Sequence, residues 1–291
     1  MGGEYMVTST EDRLFNWIGN FILALIGLAA VIPVLYVVSV SLTPFGEVLK
    51  NGGYVLIPRQ LTFSAYQKLL ETSNIFNSLK VTVFVTVVGT AINLVLTALM
   101  AYPLSRKQLP WRSFFLGMVV LTMLFGGGII PTYLVVKATG LIDSIWAMIL
   151  PGAIWSFNVL VMKSFFEHLP EELFESARID GAKEFRILCQ IVVPLSKPSL
   201  ITIGLFYAVG HWNQFFAAIM YIADRKLFPL QVVVREILMM TQQPLESAET
   251  MVPTVTMQMS AIVVASLPII VIYPFLQRYF TKGMMLGSIK G

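Results

Sequence analysis

Apolar residues are concentrated in six long runs that are separated by polar stretches. A helix needs about twenty apolar residues to cross a hydrocarbon core roughly 30 Å thick. The runs predict six transmembrane helices, at about residues 15–40, 81–103, 114–136, 144–162, 199–222 and 257–277, and none of these carries Asp, Glu, Lys or Arg. We therefore predict an all-α integral membrane protein in which residues 1–291 form a single domain.

The polar interruption at residues 163–198 has the most charged part of the chain at its centre. Residues 169–194 read LPEELFESARIDGAKEFRILCQIVVP, and a charged side chain costs about 2.5–3.5 kcal/mol to insert at mid-bilayer depth. Pro170 suits the first position of a helix, and Gly181 suits the left-handed turn that ends one. The pattern predicts two short helices joined at Gly181 and lying outside the lipid, in a form suited to docking a partner protein.

Basic residues near the ends of the predicted spans determine the orientation. One side of the membrane carries Arg106, Lys107, Arg112, Lys163, Arg178, Lys183, Arg186, Lys197, Arg278, Lys282 and Lys290, whereas the other side carries Lys50, Arg59, Lys68 and Lys80. The bias is moderate, and it places residues 163–198 in the cytosol. Because the number of spans is even, both termini are also cytoplasmic, in a multi-pass protein of a bacterial plasma membrane.

The composition agrees with a membrane protein. Of the 291 residues, 56% are hydrophobic and 12% are charged, and the mean hydropathy is +0.77, which excludes an ordinary soluble protein. The net charge of +4 is dispersed along the chain, so we expect no nucleic-acid partner. The single cysteine, Cys189, cannot form an internal disulfide, and no metal-binding motif accompanies it.

The spans favour a transporter that takes its energy from another subunit. Ion-coupled carriers generally need an ionisable group within the membrane, and the predicted spans have none. A secondary carrier or channel for a small polar solute is the alternative function. An intramembrane enzyme would need a catalytic motif, but the chain has only His168 and His211 and no HExxH or GxSxG pattern. We therefore assign no catalytic residue.

The fifth predicted span combines polar and aromatic residues in a way that suits a carbohydrate. Aromatic rings stack on the C–H faces of sugars, and amides or imidazole exchange hydrogen bonds with hydroxyl groups. The candidate residues of a substrate path are Tyr207, His211, Trp212, Asn213, Gln214, Phe215 and Phe216, with Asn158 in the fourth span. Two alternatives stay open: the aromatic residues form an interfacial belt, and Asn158 and Asn93 make hydrogen bonds between helices.

The docking region resembles the EAA loop of ABC-importer permeases, which inserts into a groove of the ATPase subunit. The resemblance rests on Glu175-Ser176-Ala177, Gly181, Ile191 and Pro194, and Asp180-Gly181-Ala182 matches the form found in sugar permeases. Ser176 stands where Ala is usual, and Val193 where Leu is usual. The resemblance implies that coupling to the ATPase involves Glu175, Ser176, Ala177, Asp180, Gly181 and Ala182.

Other stretches extend this resemblance over nearly the full length. The glycine-rich residues 125–133, together with residues 140–141 and 146–153, look like the LplC/YtcP branch of carbohydrate permeases, and Trp212-Asn213 resembles the fifth span of sugar permeases. The C-terminus is similar to the tail of maltose-type permeases, which implies that Gly287, Lys290 and Gly291 contact the ATPase. A frayed terminus is the alternative for that tail.

The resemblance implies a type I ABC-importer membrane subunit with six spans and a cytosolic coupling helix. It would import a sugar or an oligosaccharide, including polysaccharide-derived and uronate-containing ones. The chain has no G-x-x-x-x-G-K-[ST] loop, so we expect no bound cofactor, with ATP and Mg bound by a partner ATPase. The implied partners are a second, homologous but different permease, two ATPase subunits, an extracytoplasmic solute-binding protein and membrane lipid.

Overall fold

A computed structural model describes residues 10–72, 74–240 and 254–288. Within these ranges every regular element is a helix, which confirms the all-α prediction. The helices divide between two units, and each is described by itself below. The first unit comprises the described parts of residues 1–72 and 237–264, and the second those of residues 73–236 and 265–291.

Three helices of the described chain are long and apolar enough to cross a membrane. They are α1 (Thr10–Ser41), α4 (Ile75–Ser105) and α14 (Val255–Ser288), and their candidate spans are Leu14–Ser41, Ile75–Ser105 and Val255–Ile272. Each corresponds to a predicted apolar run. An apolar sequence without charge or helix-breaking turns therefore forms one continuous helix here.

The third predicted span is broken in the structure. Residues 114–136 divide between α5 (Arg112–Leu124) and α6 (Ile129–Ala138), which are bent by 114° at the break. The cause lies in the glycine run, because Gly128 has a φ of +82°, which a right-handed helix cannot contain. The window predicted as the third transmembrane helix is therefore a bent pair of helices.

The fourth and fifth predicted windows also contain breaks. In residues 144–162 a 3₁₀ turn (Ile145–Met148) precedes Pro151, and α7 (Ser156–Glu167) follows. Proline lacks the amide hydrogen that a continuing helix would use. In residues 199–222, α11 (Lys197–Trp212) ends before Asn213, and α12 (Phe216–Tyr221) begins three residues later.

The number of membrane spans depends on whether a bent pair of helices is counted as one span. The second bent pair joins Glu184–Leu195 to Lys197–Trp212 at 85°. Counting each bent pair as one span raises the three candidates to five. Six spans stay a prediction, since α7 alone has 12 residues and covers only about 18 Å of a core roughly 30 Å thick.

The remaining elements are short. Before α4 lie α2 (Phe45–Lys50) and α3 (Ser64–Thr72). Between α7 and α11 lie α8 (Glu171–Ile179), α9 (Glu184–Ile187), a π-helical turn (Leu188–Val192) and α10 (Val193–Leu195). After α12 come a 3₁₀ turn (Arg225–Leu227) and α13 (Leu230–Met239).

A small apolar cluster organises the first unit. Val40 at the end of α1 packs with Val48 of α2 and with Val55, and Tyr36 packs beside them. The Tyr36 hydroxyl donates a hydrogen bond of 3.0 Å to the carbonyl oxygen of Gly53. The glycine turn after α2 is therefore held against α1.

The second unit is built around α4, which packs against α7 and α11. Small residues allow the close approach: a Cβ atom at Gly89 would lie 2.6 Å from Nε2 of His211, and one at Gly204 would lie 3.1 Å from Leu94. The fully buried residues of the core cluster that these helices share are Ala101, Val159, Met162, Phe166, Phe174, Ile187, Val192, Ile203 and Tyr207. Because Phe174 and Ile187 belong to this core, the charged region is packed onto the helices.

Candidate functional site

The docking segment, defined as residues 169–194, contains the turn that its sequence predicts. Helix α8 ends at Ile179, and Gly181 adopts a φ of +76°. The amide of Ala182 donates to the carbonyl oxygen of Ala177 over 2.9 Å, which satisfies an end carbonyl of the helix. A second short helix, α9, begins at Glu184. The backbone therefore doubles back at Gly181.

Helix α8 buries one face and exposes the other. Phe174 is fully buried and Ala177 is 7% exposed, whereas Ile179 is 87% exposed. The four exposed residues among the predicted coupling set are Glu175, Ser176, Asp180 and Gly181, while Ala182 is half-buried. The segment thus has an anchored face and a free face that carries most of the predicted coupling residues.

A hydrogen-bonded carboxylate fixes α9 to the end of α4. The Tyr102 hydroxyl donates to Oε2 of Glu184, and Nε of Arg178 donates to Oε1 of the same carboxylate over 3.2 Å. The hydrogen bond from Tyr102 is the main reason that the pKa of Glu184 lies below its ordinary value, with Arg178 contributing further. Sequence reasoning missed Tyr102, because 82 residues separate it from Glu184.

The residues predicted to line a substrate path occupy different environments. Tyr207 and His211 are buried in a polar cluster, which we define as Asn93, Thr97, Trp155, Tyr207 and His211. The hydroxyl groups of Tyr207 and Thr97 lie 2.7 Å apart, and the backbone amide of Trp155 donates to the Tyr207 oxygen over 3.1 Å. Nδ2 of Asn93 lies 3.0 Å from Nε2 of His211. The expected interhelical hydrogen bond of Asn93 is therefore present.

Trp212 and Gln214 bond to backbone carbonyls. Nε1 of Trp212 donates to the carbonyl oxygen of Ala265 over 3.0 Å, and Nε2 of Gln214 donates to that of Met148 over 2.6 Å. The Trp212 side chain is 93% buried, since its exposed fraction is 7%. These contacts hold the end of α11 to neighbouring elements of the second unit.

Asn213 and Phe216 are exposed, and Phe215 is half-buried. The Asn213 amide donates to the carbonyl oxygen of Val209 over 2.9 Å, and Phe216 is 54% exposed. The guanidinium carbon of Arg235 lies 4.5 Å from the centroid of the Phe215 ring. The structure therefore does not gather all of the predicted path residues at one surface.

Asn158 in α7 is buried without a hydrogen bond. Its exposed fraction is 1%, and within the described part of the chain neither atom of its side-chain amide has a hydrogen-bond partner. The helix–helix hydrogen bond considered as an alternative for it is not formed. It lines a cavity of about 530 Å³ together with Trp155, Phe157 and Phe206.

The tail residues predicted to contact the ATPase lie at or beyond the end of the last described helix. Gly287 lies in the last turn of α14, whereas Lys290 and Gly291 lie outside the described residues. In the ranges that the structure describes, no three His, Cys, Asp or Glu side chains are grouped closely enough to hold a metal ion.

Comparison with known proteins identifies relatives over almost the whole chain. Residues 10–286 match the family described as binding-protein-dependent transport system inner membrane component. Protein LplC of Bacillus subtilis (strain 168) is 42% identical over 290 residues, which are 98% of this chain and 98% of LplC. The polygalacturonan/rhamnogalacturonan transport system permease protein YtcP of that strain is 43% identical over 286 residues, which cover 97% of this chain and 100% of YtcP.

A solved structure has the same fold. A chain in the crystal structure of a bacterial ABC transporter involved in the import of the acidic polysaccharide alginate matches with a TM-score of 0.86 and 31% identity. The match covers 94% of this chain and 98% of that chain. It extends the similarity from sequence to the arrangement of the helices.

These matches confirm the family resemblance and the predicted role as the membrane permease subunit of a sugar-type ABC importer. Such a permease is not an enzyme, because a separate ATPase subunit hydrolyses ATP, and it works in the inner membrane with a partner permease and a solute-binding protein. The family assignment also replaces the alternative of a secondary carrier or channel. With a family match over residues 10–286 and two relatives above 40% identity, the chain belongs to the binding-protein-dependent transport system inner membrane component family.

Proposed function

We propose that this permease imports oligosaccharides derived from an acidic polysaccharide, and that its substrates contain uronate residues. The observation that carries the proposal is the shared acidity of the named substrates of two similar proteins. YtcP is named for polygalacturonan and rhamnogalacturonan, and the matched crystal structure is that of an alginate importer. Each of these polysaccharides contains uronic acids.

We propose that residues 175–182 couple this transport to a partner ATPase. The exposed face of α8 supports the proposal, because Glu175, Ser176 and Asp180 are accessible and the apolar side chain of Ile179 is 87% exposed. ATP and Mg would be bound by the ATPase, and closure of its dimer would drive alternating access through the docking segment.

The proposed assembly contains two different permeases. This chain pairs with a homologous second permease, two ATPase subunits sit on the cytosolic side, and one solute-binding protein delivers the substrate from outside. The C-terminal tail with Gly287, Lys290 and Gly291 is proposed to contact the ATPase subunits. The position of Gly287 in the last turn of α14 supports this role.

The proposed topology has six spans, with both termini and the docking segment in the cytosol. Four spans come from the three long helices and the bent pair of α5 and α6, and the fifth comes from residues 199–222, which contain α11 and α12. The sixth is residues 144–162, in which the turn at Pro151 and the helix α7 share the crossing. Arg106, Lys107 and Arg112 lie at the cytosolic end of α4 in this arrangement, as the positive-inside rule requires.

The proposed substrate path passes the break between α11 and α12. Exposed Asn213 and Phe216 are accessible for contact with a sugar, with an amide for hydroxyl groups and a ring for the C–H face. Tyr207, His211, Trp212 and Gln214 lie behind them and position the end of α11 through their hydrogen bonds. Asn158 extends the path along α7.

The test is ATP hydrolysis by the complete complex in proteoliposomes, with neutral and uronate oligosaccharides supplied to the solute-binding protein. We expect uronate oligomers to stimulate hydrolysis and to accumulate inside the vesicles, and neutral oligomers of equal length to do neither. Stimulation by neutral sugars alone would contradict the acidic substrate class. Import without ATP would contradict the proposed coupling.

A further inference from the structure

Arg106 lies directly after α4 and is enclosed by aromatic rings. Its exposed fraction is 9%, and its guanidinium carbon lies 3.5 Å from the centroid of the Phe174 ring and 5.5 Å from that of Tyr102. Phe174 belongs to α8 and is fully buried. A cation above an aromatic face at this distance is attracted to the ring, more strongly when water is excluded.

Two nitrogen atoms of the Arg106 side chain lack hydrogen-bond partners. Within the described part of the chain, Nε and Nη1 make no hydrogen bond although water cannot reach them. The nearest carboxylate is that of Glu171, 3.7 Å from Nη1, and its side chain is 57% exposed. Buried donors without partners destabilise a fold, and an apolar side chain of similar volume would avoid that cost. Packing alone therefore does not account for a cation at this position.

Both helices of the docking segment are attached to the same end of α4. Helix α9 is held through the hydrogen bond between Tyr102 and Glu184, and α8 is held through the stacking of Phe174 on Arg106. A cavity of about 390 Å³ lies beside these contacts and is lined in part by Tyr102, Arg106, Arg178, Glu184 and Phe185. Since space is available there, a displaced α8 must either move the end of α4 with it or lose the stacked pair.

We propose that Arg106 is a positioning residue of the transport cycle, which passes the movement of α8 to α4 through the ring of Phe174. This inference rests on the proposed coupling role of residues 175–182. The ion pair with Glu171 would not hold the two helices in place, because the Glu171 carboxylate is largely exposed to water and can exchange Arg106 for water molecules. The enclosed ring, in contrast, keeps the two helices in one relative position while the ATPase closes.

The experiment uses the complete complex in proteoliposomes and measures the number of sugar molecules imported per ATP hydrolysed. Three variants remove the contact: Arg106→Met, Phe174→Leu and the double variant. Loss of an enclosed cation–π contact shifts the equilibrium between coupled and uncoupled states by a factor of roughly 5 to 30. We expect each single variant to lower the ratio by a factor in that range, and the double variant to lower it no further.

Two controls separate this role from a structural one. Phe174→Tyr keeps an aromatic face with the smallest change in volume and should retain the ratio. Arg235→Met removes the other guanidinium–phenylalanine pair described above, with Phe215 at 4.5 Å, and should leave the ratio unchanged. If Arg106→Met does not insert into the membrane, the comparison of Phe174→Leu with Phe174→Tyr decides the matter, because Tyr keeps the aromatic face and Leu removes it.

The outcomes distinguish this inference from the coupling role on which it rests. Normal ratios in Arg106→Met and Phe174→Leu would overturn the role of Arg106, even if substitutions at Gly181 still uncouple hydrolysis from import. Additive losses in the double variant would also overturn it, because they would show that the two side chains act separately. ATP-independent import by the unaltered complex would instead overturn the coupling role itself.

Discussion

Gly181 allows a test that separates backbone strain from docking. Its φ is +76°, and a Cβ atom built there meets no atom within 4 Å. An L-residue other than glycine costs about 1–2 kcal/mol in the left-handed region, which changes an equilibrium roughly 5- to 30-fold. A Cβ atom at this position therefore brings backbone strain but no collision with the described residues of this chain.

Two substitutions at Gly181 distinguish backbone strain from collision with a partner. Asparagine tolerates the left-handed conformation better than other residues that have a side chain, so Gly181→Asn mainly adds volume to the exposed turn. Gly181→Val adds both volume and strain. If the turn sits in a groove of the ATPase, a side chain there overpacks the contact by about 1–3 kcal/mol. We expect Gly181→Asn to reduce import about tenfold while membrane insertion is unchanged, and Gly181→Val to reduce import further.

Gly140 provides the matched control. Its φ is +71°, it also has no atom within 4 Å of an added Cβ, and it lies outside the docking segment. The assay compares import and substrate-stimulated ATP hydrolysis for Gly181→Asn and Gly140→Asn in the complete complex. Normal import by Gly181→Asn would refute the docking of this turn. Equal losses in the two variants would show that general backbone strain, and not a partner contact, caused the defect.

Three further predictions concern helix packing and an outer loop. Gly89→Ala should lower the melting temperature in detergent, because the added Cβ would lie 2.6 Å from His211, whereas Gly27→Ala, which meets no atom within 4 Å, should not. Tyr207→Phe should destabilise the fold by about 1–3 kcal/mol, measured by reversible unfolding in micelles, because the buried Thr97 hydroxyl and the backbone amide of Trp155 both lose a hydrogen-bond partner. Asp143 accepts the amides of residues 223 and 224, which keep its pKa below the ordinary value. A depressed pKa stabilises this loop above the unfolded pKa, so the contribution should be lost as the pH falls below about 4. The amides of residues 223 and 224 should lose protection against hydrogen exchange there, relative to their intrinsic exchange rates, and Asp143→Asn should remove this pH dependence.

The sequence alone predicted the structural features that depend on residues close together along the chain. Continuous apolar runs predicted α1, α4 and α14, and the position of Gly181 between polar helical segments predicted its left-handed turn. The broken windows were predicted less well. Hydropathy averages over about twenty residues, so it does not register the positive φ of Gly128 or the missing amide hydrogen of Pro151. These local backbone features, and not the mean hydropathy, determine where a helix ends.

Contacts between residues far apart along the chain could not be predicted from the sequence pattern. Thr97 and Tyr207 are 110 residues apart along the chain, and Tyr102 and Glu184 are 82 apart. Without a structure, nothing distinguishes Tyr102 from the other tyrosines near a predicted span end. Arg106 was interpreted only as a sign of membrane orientation, because its position over Phe174 depends on how α8 folds back onto α4.

The polar cluster and the docking contacts together determine which helices move as one body. Asn93 and Thr97 of α4 are hydrogen-bonded to His211 and Tyr207 of α11, so separating the two helices would leave several buried polar groups without partners. A force applied to the end of α4 is therefore carried to α11 as well. The path residues at the end of α11 then need no contact with the docking segment to respond to it, because α4 connects the two. Movement of α4 with α11 as a unit is the arrangement in which the fewest hydrogen bonds are broken.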